Sequence, residues 1–69
     1  MTVTDEELLQ LNQEVVQLYQ NGKYSEAIKI GRQALNLGEK NLGSKHPITT
    51  TSHNNLSILY GKMGHPTQF

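Results

Sequence analysis

The chain has 69 residues, 35% of them hydrophobic and 17% charged, with six basic residues balancing six acidic ones and no cysteine. Such a length allows one small domain with a lean core that no disulfide reinforces, and a net charge of zero gives no positive field for nucleic acid or an anionic membrane surface. No apolar run approaches the ~20 residues of a membrane span, and the start through Asp5-Glu6-Glu7 is acidic where a signal peptide is basic, so a cytoplasmic protein is expected.

The first predicted helix opens at Thr4, a good N-cap, with Glu7 three residues later to complete a capping box. Asp5, Glu6 and Glu7 set negative charge on the positive end of the helix dipole. Leu8, Leu11, Val15 and Leu18 recur at spacings of 3, 4 and 3, one buried stripe. Asn21-Gly22 ends the run, because glycine accepts the left-handed conformation of a helix terminus. A helix of about 17 residues is expected.

A second helix is predicted from Tyr24 or Ser25 to about Leu42. Its stripe is made of small residues, Ala27, Gly31, Ala34 and Gly38, flanked by Ile28 and Leu35 on one side and by Ile30 and Leu37 on the other. A ridge without bulk lets neighbouring backbones come close, which suits a helix held between two others. The alternative for Gly31 and Gly38 is a fraying or kinked helix, since each costs ~1 kcal/mol of propensity relative to Ala. Gly43-Ser44 closes the segment.

His46-Pro47 opens the third helix, with proline at the first position, where its missing N–H costs nothing. Ile48, Ser52, Leu56, Leu59, Tyr60 and Met63 form its expected core face, while Thr49, Thr50 and Thr51 weaken the first turn. Gly64 ends it. Residues 65–69 are too short and too broken by proline to form a fourth helix.

Two stretches of the chain repeat each other. Leu18-Tyr19-Gln20-Asn21-Gly22-Lys23-Tyr24-Ser25-Glu26-Ala27 returns in worn form as Leu59-Tyr60-Gly61-Lys62-Met63-Gly64-His65-Pro66-Thr67-Gln68, and the loop glycines Gly22 and Gly64 are 42 residues apart. A period of this size in a helical sequence indicates stacked helix pairs that present a surface to other proteins. Leu18, Gly22, Tyr24, Ala27, Ala34 and Leu35 stand in a pattern that resembles the tetratricopeptide repeat, whose units are antiparallel helix pairs. Glu39-Lys40-Asn41-Leu42-Gly43, His46-Pro47 and Asn54-Asn55-Leu56-Ser57 followed by Leu59-Tyr60 are similar to the longer repeat of kinesin light chains. The resemblance implies an all-α chain of about one and a half repeats, an antiparallel helix pair plus a third helix of the α-solenoid type. All 69 residues form one domain in this reading, with a first repeat over about 5–43, a partial second over about 46–64 and a tail over 65–69. Glu14 departs from the family pattern, standing where a leucine is usual, and so does Gly31, where a bulky aromatic is usual.

The family resemblance implies that the first helix of each pair lines a concave surface. With Leu56 at the centre of the buried face, helical geometry sets Thr51, Asn54, Ile58, Gly61 and Lys62 opposite it, and the period carries this face to Leu9, Asn12, Val16, Tyr19 and Gln20. The expected peptide- or protein-binding residues are Asn12, Val16, Tyr19, Asn54, Asn55, Ile58 and Lys62. Asn54 and Asn55 resemble the paired asparagines of the family, and an asparagine amide offers a donor and an acceptor to match one peptide unit. The competing readings are solvated asparagines and, for Asn55, a structural hydrogen bond between helices. Val16 and Ile58 serve a peptide groove, self-association into a homo-oligomer, or neither, since scattered surface apolars are normal.

No catalytic site, cofactor or metal is expected. His46, His53 and His65 hold no pair at the i, i+4 spacing that brings two imidazoles to one ion. No serine, histidine and acid stand in a motif context, and the dispersed glycines make no phosphate-cradling loop. The function expected is non-catalytic binding of a protein or peptide, with self-assembly as the alternative.

Overall fold

A computed structural model describes residues 4–64 of the chain. Three helices follow in order: α1 (Asp5–Gln20), α2 (Tyr24–Asn41) and α3 (Pro47–Lys62). The chain is all-α among these residues, α2 runs back against α1, and α3 lies on both. The expected tail over 65–69 lies outside the described residues.

Local chemistry sets each boundary. Thr4 caps α1, its Oγ1 accepting from the Glu7 N–H at 3.2 Å and donating to Glu7 Oε1 at 3.2 Å. At the other end the Lys23 N–H donates to the Leu18 carbonyl at 2.8 Å and the Gly22 N–H to the Tyr19 carbonyl at 3.1 Å. This is a Schellman closure, and Gly22 permits it with φ of 77°. Helix α1 spans 16 residues against the 17 or so expected. Helix α3 begins on His46, whose Nδ1 accepts from the Ile48 N–H at 3.2 Å, with Pro47 as the first helical residue.

The small stripe of α2 is the centre of the packing. Ala27, Gly31, Ala34 and Gly38 are all buried, so the close-packing role holds for both glycines. A Cβ on Gly31 would stand 2.9 Å from Leu56 Cδ2 of α3 and 3.8 Å from Val15 Cγ2 of α1. At Gly38 it would stand 2.7 Å from Thr49 Oγ1 and 3.4 Å from the Thr49 Cα. Helix α2 is thus clasped from two sides, and Leu8, Val15, Leu56 and Leu59 fill the space against it with at most 1% exposure each. Ile28 and Ile30 pack partly buried around Val15, Ala27 and Leu59. Tyr24 plugs the α1–α2 turn against Tyr19, ring centroids 5.6 Å apart and planes tilted 58°.

Three expectations of the core need correction. Met63 lies past the end of α3 and is 36% exposed, so it is a helix-end residue and not core. Thr49 is buried at 1% exposure, facing Gly38, where no larger side chain fits. In α1 the buried stripe runs through Leu8, Asn12 and Val15, with Leu11 and Leu18 half-buried at its edge.

The glycines therefore separate by environment. Gly61 is helical and has open space where its Cβ would go, so Gly61→Ala gains ~1 kcal/mol of propensity and raises Tm by about 4–8 °C in a domain of this size. Gly38→Ala gains the same propensity of ~1 kcal/mol but incurs overpacking of ~1–3 kcal/mol against Thr49, and lowers Tm. Thermal unfolding followed by circular dichroism checks both; equal responses at the two glycines would contradict the packing described.

Candidate functional site: a groove between the first and third helices

Helices α1 and α3 run side by side because both rest on the α2 ridge, and the line where they meet has two chemically different parts. Near their N-terminal ends the seam is polar and closed. Asn12 of α1 is 5% exposed; its Nδ2 donates to the Ile48 carbonyl at 3.3 Å, and the Ser52 hydroxyl donates to its Oδ1 at 2.6 Å. The Ser52 hydroxyl also lies 3.3 Å from the Ile48 carbonyl. Both heads of the Asn12 amide are therefore spent on α3. The expected position of Asn12 on the ligand-facing side is corrected by this burial: it ties the two helices together.

Towards the C-terminal ends the same seam opens into a groove of about 210 Å³. Val15, Val16, Tyr19 and Gln20 of α1 and Asn55, Ile58 and Leu59 of α3 line it. Helical spacing brings them together: 15, 16, 19 and 20 fall on two turns of one face of α1, and 55, 58 and 59 on two turns of α3. Val15 and Leu59 are almost fully buried and form the floor, while Val16 and Ile58 form the rims with 41% and 52% exposure. No charged side chain lines it.

The structure thus gathers Val16, Tyr19, Asn55 and Ile58 at one concavity. Asn54 and Lys62 are exposed on α3, one turn before and one turn after Ile58, and neither lines the groove. Leu9 is 46% exposed and lies seven residues before Val16, extending the apolar strip of α1. Sequence reasoning assigned Val15 and Leu59 to the core alone; their place in the floor depends on how far α1 and α3 separate past Ser52, which no spacing rule encodes.

Like Thr49, whose Oγ1 is buried without a hydrogen-bond partner, the half-buried Asn55 holds an unusual position. Its Nδ2 is buried and has no hydrogen-bond partner. An unpaired buried donor costs ~1–3 kcal/mol, and the expected alternative of a structural interhelical bond is not what this atom makes. Among the described residues no group of three His, Cys, Asp or Glu stands close enough to hold a metal ion. No helix there is long and apolar enough to cross a membrane.

A family model described as tetratricopeptide repeat matches residues 7–68. No curated protein and no solved structure matches. Repeats of this family are typically non-catalytic and mediate protein–protein interaction.

The Asn12 network carries its own test. Asn12→Ala removes two hydrogen bonds and strands part of the Ser52 and Ile48 polar surface, so it destabilises by about 2 kcal/mol. In a double-mutant cycle with Ser52→Ala the coupling is about 1 kcal/mol, measured by denaturant unfolding. A coupling near zero would show that the 2.6 Å contact contributes nothing.

Proposed function

We propose, from the premise that this chain belongs to the tetratricopeptide-repeat family, that it is a non-catalytic recognition module holding a segment of a partner protein between α1 and α3. The observation that carries this is the pair Val16 and Ile58: two large apolar side chains held in water across a charge-free concavity. Burying such rims on a partner returns the hydrophobic free energy that folding leaves unused. Single exposed apolars are ordinary on a protein surface, but here they face each other over a continuous apolar floor. At about 210 Å³ the groove is smaller than the ~300–1,000 Å³ of small-molecule sites, and it suits one anchoring side chain of a polypeptide.

Asn54 and Lys62 stand at the ends of the Ile58 rim and would touch a segment that continues past the groove. The kinesin-light-chain-like subtype belongs to the same proposal. Its support is the passage Leu42-Gly43 to His46-Pro47, where Gly43 has φ of 95° and His46 caps α3. A cytoplasmic location is proposed alongside it.

Self-association is the second reading, favoured by the zero net charge and by the flank of α2 and α3. There a shallow concavity is lined by Arg32, Leu35, Asn36, Glu39, His53, Leu56 and Tyr60. A second copy seated on this flank would make Tm rise with protein concentration.

Methyl-resolved NMR separates the two readings. On titration with a pool of capped decapeptides of mixed composition, the Val16 and Ile58 methyls shift while those of Ile28 and Ile30 stay in place. Val16→Lys and Ile58→Lys abolish these shifts and change stability by less than about 0.5 kcal/mol, as exposed positions do. Shifts centred on α2, or a Tm that climbs with concentration and no peptide response, would discard the groove.

A further inference from the structure

Asn21 at the end of α1 is the only asparagine of the chain that a glycine follows. Both residues are exposed, and the Asn21 carboxamide makes no hydrogen bond among the described residues. Gly22 carries no side chain, and a Cβ there would meet nothing within 4 Å, so that side of the turn is open. The other asparagines differ. Asn12, Asn36, Asn41, Asn54 and Asn55 lie within helices, and each precedes a residue with a side chain. The nitrogen after each of them is shielded and belongs to a helical hydrogen-bond ladder; that of Leu42, after Asn41, donates to the Gly38 carbonyl at 2.8 Å.

We propose that Asn21 is a site of spontaneous deamidation whose rate is set by the turn between α1 and α2. The Gly22 nitrogen gives its proton to a base and attacks Asn21 Cγ; the Cγ–Nδ2 bond breaks and ammonia leaves. Water then opens the cyclic imide at either of its carbonyls and yields aspartate or isoaspartate. One water is consumed and one ammonia released, with no oxidant, cofactor or enzyme. The closed turn opposes the first step in two ways. The Gly22 N–H donates to the Tyr19 carbonyl at 3.1 Å, which withholds its proton from base. Asn21 has ψ of 3°, so the Gly22 nitrogen eclipses the Asn21 nitrogen, whereas ring closure needs it beside Cβ, one tetrahedral substituent round. The bond from Gly22 to Tyr19 and that from Lys23 to Leu18 at 2.8 Å must therefore open first. Helix ends open at a fraction of the global unfolding free energy, so the folded chain reacts, but slowly.

The products do not restore the turn. In isoaspartate the main chain runs through the former side chain and is one carbon longer, which takes Leu18 and Lys23 out of register. Both products add a negative charge at the negative end of the α1 dipole. Either change loosens the contact of Tyr19 with Tyr24, whose rings lie 5.6 Å apart, and Tyr19 lines the groove. The inference is independent of what the groove holds.

The test incubates the intact chain in neutral buffer and in concentrated urea, and locates aspartate and isoaspartate by peptide mapping with mass spectrometry. Conversion is expected at Asn21 ahead of every other asparagine, and faster at higher pH. It is expected to be at least five-fold slower in buffer than in urea, and slowed no less than the Gly22 amide is protected from hydrogen exchange by NMR. The purified isoaspartate form is expected to have a lower Tm and faster exchange at the Lys23 amide. Conversion led by another asparagine overturns the proposal, as does an unconverted Asn21 in buffer long after the urea sample has fully reacted. Equal rates in the two solvents, or an isoaspartate form with unchanged Tm and Lys23 exchange, overturn the role of the turn.

Discussion

Everything in this small fold depends on how closely two helices can approach a third. The ridge Ala27, Gly31, Ala34 and Gly38 offers no side chain beyond a methyl, so Leu56 and Thr49 of α3 and Val15 of α1 come down onto the α2 surface itself. Dispersion contacts are individually weak and need near-contact distances to add up. A chain with only six fully buried apolar side chains among its described residues has few such contacts to lose. Two glycines in one helix are unfavourable for propensity alone; here that local cost is offset by the packing it permits.

A consequence of clasping α2 from both sides is that α1 and α3 become neighbours. Where they touch, the chain uses polar chemistry, and Asn12, Ser52 and the Ile48 carbonyl form a directional lock that a leucine pair would not supply. Buried hydrogen bonds fix register because a shift of one residue leaves donors and acceptors unpaired. The lock occupies one end of the seam. Past it, α1 presents valines and the helices part, leaving Val15 and Leu59 as a floor and Val16 and Ile58 as rims. The groove is therefore the unlocked half of an interface whose other half is closed.

Much of this was legible in the residues. Thr4, Gly22, His46-Pro47 and Gly64 mark helix ends through specific hydrogen bonds and backbone angles, and those marks are local. The small ridge of α2 was legible because a 4, 3, 4 spacing of Ala and Gly has few other uses. Asn12, Thr49 and Met63 were less legible, for related reasons. Helical spacing gives the angle of a residue on its own helix but not which angles are covered. Thr49 shares the 3, 4, 3 run through Ser52, Leu56 and Leu59, and this run was the available signal for its burial. Met63 continues the same angle but falls beyond the last turn, where the helix no longer presses it against α2.

Asn12 shows the deeper limit of reading a repeat by its period. The period pairs Asn12 with Asn54 and Glu14 with Leu56, as though the first helices of both repeats buried the same face. They bury different ones. In α3 the covered positions are Thr49, Ser52, Leu56 and Leu59, and their counterparts in α1, Glu7, Gln10, Glu14 and Gln17, are all polar and exposed. In α1 the covered positions are Leu8, Asn12 and Val15, matched in α3 by the exposed Thr50 and Asn54 and the half-buried Ser57. Each helix buries the residues on the side that meets its own neighbours, and those sides fall at different repeat positions. Glu14, a misfit to the family pattern when read alone, is thus one of four polar residues on a consistently solvated flank. The same asymmetry explains why the groove has unlike walls. Helix α1 contributes its C-terminal half beyond an asparagine bonded through both ends of its amide, and α3 contributes an asparagine whose Nδ2 has no partner.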